Sequence, residues 1–322
     1  MTGMEETKSK LIKKFYRSLY RIRRVEEEIA RIYPTDKIKS PVHLSIGQEA
    51  ISVGVCEALR HDDVVFGTYR GHAMYLAKGG DLKRMIAELY GKKTGCAKGK
   101  GGSMHLIDRE KGIMGTSAIV GTTIPVGVGY AYGLKYKRLD SIVVSFFGDG
   151  AIDEGAFHES MNFAALKKIP VLFVCENNFY AIHSHHLNRH HSDNICERAK
   201  SYGMPAEKIM DSDIFKIYEL TSKYTEKMRK GKLGPVFLEC ITCRWKEHVG
   251  PNDDFALGYR NENEICEWME KDPLKKLREF LEPNYRNAIE TEVEGEIREA
   301  FQFAEESPFP GIEELCEGLF KE

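Results

Sequence analysis

The chain has 322 residues, 42% hydrophobic and 30% charged, with a net charge of −2. That length supports one large core or two small ones, with nothing that suggests disorder. The near-balanced charge gives no basic footprint for nucleic acid, and apolar runs such as 142–147 are far too short to cross a bilayer.

The first ten residues lack an apolar secretory core and are not the Arg-rich, acid-poor type of a transit peptide, so a soluble cytoplasmic protein is expected. Residues 7–33 place Ile12, Phe15, Leu19, Ile22 and Ile29 at helical spacing on a charged segment. After Pro34 and Pro41, Ser45-Ile-Gly-Gln48 reads as a capping box that opens a second helix. Val64-Val65-Phe66, within 62–69, reads as a strand. Asp81 opens a helix with Leu82, Met85, Ile86 and Leu89 on one face, and Gly91 ends it.

Residues 91–129 are dense in glycine and lysine and read as a long, mostly irregular segment of the kind that serves a site. Gly127-Val-Gly129 has the wrong spacing for a dinucleotide loop, because Gly133 follows, and reads instead as a helix packed closely on a sheet. Strand-like runs follow at 142–147, 171–175 and 236–241, with helical patterns between them. Apolar strands alternating with amphipathic helices predict an α/β fold, a mostly parallel sheet covered by helices on both faces. Residues 262–322 read as a charged helical tail, with Pro273, Pro283, Pro308 and Pro310 as breaks. No repeat or flexible linker interrupts residues 1–322, so a single α/β domain is expected. Cys240 and Cys243 have CxxC spacing, but on a strand over 235–243 they would point to opposite faces and read as buried free thiols.

The chemistry is concentrated where two strands end. The run 142–147 leads into Gly148-Asp149-Gly150, and the run 171–175 leads into Glu176-Asn177-Asn178. Ligands of open α/β sheets bind at the carboxyl ends of strands, so both can meet at one site. Asp149 offers an anionic oxygen and Asn178 a neutral one, the donors Mg²⁺ prefers in a shell completed by ligand phosphates. The glycines allow close approach of a diphosphate, and a helix from about Asp153 presents its positive end to the same place.

Gly-Asp-Gly followed at this distance by Asn-Asn resembles the thiamine-diphosphate fingerprint. Four more blocks sharpen the likeness: His43-Leu-Ser-Ile-Gly-Gln-Glu-Ala50, Thr68-Tyr-Arg70, Lys98-Gly-Lys-Gly-Gly-Ser-Met-His105 and Ile119-Val-Gly121. Together they resemble the α subunits of 2-oxo acid dehydrogenase first components, the family of the pyruvate, branched-chain 2-oxo acid and acetoin enzymes. The resemblance covers roughly residues 10–260. It implies the thiamine-diphosphate-binding fold with helical N- and C-terminal extensions.

Residue by residue, it also implies that Tyr69 and Arg70 reach the diphosphate. Ala118 and Val120 offer backbone groups to the aminopyrimidine, and Gly150 and Ala151 line the phosphates. Asp149, Asn178 and the Tyr180 carbonyl bind Mg²⁺. His43 faces the reaction chamber, and His248, four residues after Arg244, is the active-site histidine beside the diphosphate. Without the resemblance, His43 reads as a helix-entry residue, Tyr69 as a strand-end aromatic, and Lys98 and Lys100 as a solvated basic loop.

The implied activity is decarboxylation of a pyruvate-like 2-oxo acid, with the acyl unit passed to lipoyl-lysine on a partner acyltransferase. The family's β subunit supplies the carboxylate that faces the aminopyrimidine, and no residue here can be assigned that job. A shared site in an α₂β₂ particle, and an inactive isolated chain, are therefore expected. Four other readings stay open: an acetoin dehydrogenase α subunit, a carboligase passing the active aldehyde to another carbonyl, half of a split transketolase, and a non-catalytic assembly subunit. The chain departs from the family pattern twice. Five histidines crowd 183–191, where the family has small and hydroxyl residues. They could bind a transition metal, face solvent, or accept a charged substrate. Val249 stands where many members have a serine after the histidine, so serine-based control cannot operate there.

Overall fold

A computed structural model describes residues 2–317, and the side chains from residue 6 onward. The first helix, α1, spans Thr2–Ile32, and its apolar stripe of Phe15, Leu19, Ile22, Val25 and Ile29 is buried. Chain order continues with α2 (Glu49–Cys56), β1 (Val64–Thr68), α3 (His72–Ala77), α4 (Leu82–Leu89), β2 (Ile113–Ser117), α5 (Thr123–Tyr136), β3 (Val143–Gly148), α6 (Gly155–Leu166) and β4 (Val171–Asn177). A short hairpin, β5 (Tyr180–Ala181) and β6 (Ser184–His185), leads into α7 (His186–Arg189). Next come α8 (Ile195–Ser201), β7 (Ala206–Ile209), α9 (Ile214–Arg229), β8 (Val236–Ile241), α10 (Glu262–Glu270), α11 (Pro273–Arg278) and α12 (Pro283–Glu306).

Six strands form one sheet in the order β2-β1-β3-β4-β8-β7, and every pairing is parallel. Alternate residues of the central strands feed two cores. Val144, Phe146, Leu172 and Val174 face the helices α1, α2, α4, α9 and α12, while Val143, Phe147, Phe173 and Cys175 face α5, α6 and α8. Burial on both faces is why these strands read as continuous apolar runs. The chain leaves β1 toward β2 on one side and returns to β3 on the other. That switch point opens a crevice at the strands' carboxyl ends.

Several local expectations change. The capping box does not form. Ser45 Oγ donates to the Arg70 carbonyl at 3.3 Å, and Gln48 Oε1 accepts from Asn178 Nδ2 at 2.9 Å. Helix α2 begins only at Glu49, with no side-chain cap, because tertiary partners have claimed both polar groups. Asp81 does cap α4, accepting from the Arg84 amide at 2.9 Å. The segment 91–129 is less irregular than its glycines suggest, since it contains β2 and the start of α5. Gly127 sits in α5 where the helix lies on Phe66 and Ser145, as the glycine pair suggested. A 3₁₀ turn, Asp149–Asp153, precedes α6, so that helix starts at Gly155. Strand β8 stops at Ile241, which leaves Cys243 beyond it, and both thiols are buried and free. Pro273 and Pro283 start helices, where a missing N–H costs nothing.

The Lys98-Gly-Lys-Gly-Gly102 loop is organised by a residue that the sequence does not single out. Glu88, fully buried at the end of α4, accepts four backbone N–H groups: Ala97 (2.7 Å) and Gly99 (2.9 Å) at Oε2, and Gly101 (2.6 Å) and Gly102 (3.2 Å) at Oε1. The loop lysines point outward, with Lys98 reaching the Glu317 carboxylate and Lys100 its carbonyl. Glu88→Gln keeps the shape but turns two of those acceptor positions into a donor. Hydrogen bonds to charged groups each contribute about 1.5–3 kcal/mol, so the variant should lose about 3 kcal/mol, read as a lowered urea midpoint. An unchanged midpoint would show that the carboxylate does not hold the loop.

Candidate active site

Five strand ends converge on the crevice: Tyr69 and Arg70 after β1, 118–121 after β2, Asp149–Ala151 after β3, Asn178 and Tyr180 after β4, and His248 on the segment after β8. They surround a cavity of about 280 Å³ lined by Gln48, Tyr69, Arg70, Val120, Asp149, Gly150, Ala151, Glu176, Asn178, Tyr180 and His248, among others. Ala118 is not part of that lining, although it begins the turn that carries Val120 and Gly121.

Two glycines are explained by close approach. Gly47 has φ +95, and a Cβ there would lie 2.4 Å from the Cys243 carbonyl oxygen, so only glycine lets the His43 segment lie against the segment leading to His248. The two segments are pinned by the Trp245 amide on the Ile46 carbonyl (2.9 Å) and the Gly250 amide on the Val42 carbonyl (2.8 Å). At Gly150, a Cβ would meet the Ala181 methyl at 2.9 Å, so the β5–β6 hairpin closes directly over the turn.

His43, Tyr69 and His248 form an aromatic cluster, with ring centres 4.3 Å (His43–Tyr69), 5.3 Å (His43–His248) and 5.7 Å (Tyr69–His248) apart. Burial first, and the Arg70 guanidinium second, pull both imidazoles down to about 3, so each is neutral near pH 7. His43 Nδ1 is buried without a partner among the described residues. Arg70 is itself buried, with its pKa lowered to about 10 by desolvation. It donates to the Leu44 carbonyl (2.7 Å) and the His248 carbonyl (3.0 Å), leaving its other N–H groups for an anion.

Asp149 is 1% exposed, and burial raises its pKa against the opposing pull of Arg189, which is ion-paired to its Oδ2. Asn178 Oδ1 accepts from the Tyr180 amide at 3.1 Å while its Nδ2 is held by Gln48. Asn177 has a structural task, donating to Glu239 (2.9 Å) and accepting from the Phe179 amide (2.9 Å). Glu176 also lines the cavity, and burial lifts its carboxyl to about 7.

The departures from the family pattern acquire structure here. Arg244 is fully buried and donates to the carbonyls of Lys246 (2.6 Å) and Ile182 (3.0 Å), to Asp254 (2.9 Å) and to the Tyr259 hydroxyl (2.6 Å). Arg260 closes the cage through Asp254 (2.7 Å) and the Arg244 carbonyl (2.6 Å). The segment bearing His248 is thereby tied to the hairpin after Asn178. The histidines of 183–191 do not converge on a point: among the described residues, no three or more His, Cys, Asp or Glu side chains gather as a metal site. The His183 ring lies tilted against Tyr259, with ring centres 4.5 Å apart, and His190 pairs with Asp153. Sequence reasoning gave Gln48 only a capping role and gave Glu88, Glu176 and Arg189 none, although Gln48 and Glu176 stand inside the blocks it singled out.

Comparison with known proteins identifies the family. The family model "Dehydrogenase E1 component" matches residues 17–313. The α subunit of acetoin:2,6-dichlorophenolindophenol oxidoreductase from Bacillus subtilis (strain 168) is 37% identical over 310 residues, covering 95% of this chain and 92% of that one. The pyruvate dehydrogenase E1 component subunit alpha-3, chloroplastic, of Arabidopsis thaliana is 36% identical, covering 92% and 72%. The pyruvate dehydrogenase E1 component subunit alpha of Rickettsia bellii (strain RML369-C) is 34% identical, covering 95% of both chains. No helix among the described residues is long and apolar enough to cross a membrane. The chain therefore belongs to the dehydrogenase E1 component family, as a thiamine-diphosphate-dependent α subunit of a 2-oxo acid dehydrogenase first component.

Proposed function

We propose that the 280 Å³ cavity holds the diphosphate and Mg²⁺ end of thiamine diphosphate. On this reading the chain decarboxylates a pyruvate-like 2-oxo acid together with a β subunit, in an α₂β₂ particle that hands the acyl unit to a lipoyl-bearing acyltransferase. One observation carries the reading. A buried carboxylate (Asp149), a carboxamide (Asn178) and Tyr180 line one cavity with a buried arginine and a glycine that has no room for a side chain. Hard oxygen donors with space for phosphate oxygens suit Mg²⁺.

In this reading Asp149, Asn178 and the Tyr180 carbonyl hold the metal. Arg70 and Tyr69 hold the diphosphate, Gly150 and Ala151 line it, and Ala118 and Val120 present backbone groups to the aminopyrimidine. Bound there, the cofactor supplies the electron sink that 2-oxo acid decarboxylation requires. His248 and His43, both neutral, offer ring nitrogens that can donate to or accept from the reacting groups.

Acetoin is a second donor reading, favoured by the 37% identity to the Bacillus subtilis subunit. The test is reconstitution. The isolated chain should bind thiamine diphosphate weakly and reduce no 2,6-dichlorophenolindophenol with pyruvate, branched-chain 2-oxo acids or acetoin. Adding the cognate β chain should restore both binding and one donor's activity, and cofactor should tighten the assembly. Robust turnover by the isolated chain would refute the shared site.

A further inference from the structure

The ion pair that Asp149 makes is not with any residue the family resemblance assigns. Arg189 Nη2 engages Asp149 Oδ2, its Nη1 engages Asp153, and the neighbouring His190 Nε2 engages the other Asp153 oxygen. Arg189 lies on the four-residue helix α7, inside the histidine-rich segment. Arg244 on the Ile182 carbonyl and the His183–Tyr259 ring contact hold the segment's start, but its middle leaves polar atoms unpaired. His186 is 3% exposed with both ring nitrogens unpartnered, and His190 Nδ1 and Arg189 Nε are also buried without partners among the described residues. Phe179 and Ile182, at φ 70 and φ 55, bring the chain into it through left-handed backbone that side chains disfavour. Buried polar atoms without partners oppose this seating, and the Arg189 ion pairs with the His190–Asp153 contact oppose that cost.

A metal at Asp149 would face a guanidinium on the same carboxylate. Two cations on one buried carboxylate repel strongly, because little solvent lies between them. Resting on the reading of Asp149 as the metal ligand, we propose that Arg189 belongs to the cofactor site as the internal cation that Mg²⁺ displaces, so that loading the metal re-seats residues 182–191. The histidine-rich segment is then a reporter of cofactor binding, coupled to the proposed metal ligand through Arg189. Asp153 is its second anchor, which keeps the released arginine close by.

The assembled enzyme tests this with Mn²⁺ as the probe, titrated by electron paramagnetic resonance at saturating thiamine diphosphate. An adjacent opposite charge shifts a carboxylate's proton affinity by one to three units, so Arg189→Gln should bind Mn²⁺ about tenfold more tightly than wild type. Arg189→Lys, which keeps the charge, should stay close to wild type. Hydrogen exchange of the 182–193 peptide should change on Mn²⁺ loading in wild type. In Arg189→Gln it should show the loaded pattern beforehand. Weaker or unchanged Mn²⁺ binding in Arg189→Gln would overturn the inference, the first by making the guanidinium a ligand of the diphosphate. Exchange in wild type that ignores Mn²⁺ would overturn it as well. Asp149→Ala separates the two levels of the argument: if it keeps wild-type Mn²⁺ affinity, the metal-site reading itself fails.

Discussion

Asp149→Ala is expected to lose Mg²⁺ and thiamine diphosphate together while the fold survives. Asp149 is the one anion among the three proposed ligand positions, and a metal held there would join the protein to the diphosphate, so neither partner should bind well without it. Removing residues that merely support a metal ligand costs about 10–100-fold in affinity, and removing the anionic ligand should cost more than roughly 100-fold. The fold should tolerate the change. The carboxylate is almost fully buried, with a pKa that burial raises, so its charged form is opposed by its surroundings. Arg189 would keep its contact with Asp153. Calorimetric titration of the assembled enzyme, with circular dichroism as the fold control, makes the measurement. Unchanged cofactor affinity would sink the site assignment.

His248→Ala is expected to reduce turnover by about 10²–10⁴-fold, the usual contribution of a group that handles a proton at the reacting centre. Cofactor affinity should fall only modestly, because Arg70, Asp149 and Asn178 remain. Wild-type turnover would show that the active-site histidine lies elsewhere. The pH dependence sharpens the expectation. With its pKa lowered to about 3 by burial and by the Arg70 guanidinium, His248 of the unliganded chain stays neutral from pH 5 to 8. For stability the sign is fixed by the unfolded state, which binds the proton first. The contribution of a neutral, half-buried His248 is complete above pH 6.5 and is lost as pH falls toward 3. Acid unfolding of His248→Ala, followed between those limits, should therefore be less steep than in wild type.

Much of this site is legible in the amino-acid sequence. The strands at 142–147, 171–175 and 236–241 can be read because burial on both faces makes each a continuous apolar run. Their ends can be read because Gly148-Asp149-Gly150 and Asn177-Asn178 break those runs abruptly. The edge strand Ala206–Ile209 cannot, since it is short and half polar. Its place is set by pairing with Val236–Ile241, a partner that lies later in the chain.

By itself the sequence determined the period of the central strands and of the first helix, their order along the chain and the residue types at the strand ends. Those are local properties, fixed within a few residues by side-chain pattern and backbone geometry. Only the tertiary structure decided the partners. Ser45 and Gln48 carry the local signature of a helix cap, yet Arg70 and Asn178 take their hydrogen bonds. Glu88 looks like one more helical glutamate, and becomes the anion around which the glycine loop folds. Arg189 looks like one charge in a basic segment, and reaches Asp149, forty residues earlier. A buried polar group must find a partner wherever the folded chain brings one within reach. That search runs over sequence separations that no local pattern encodes.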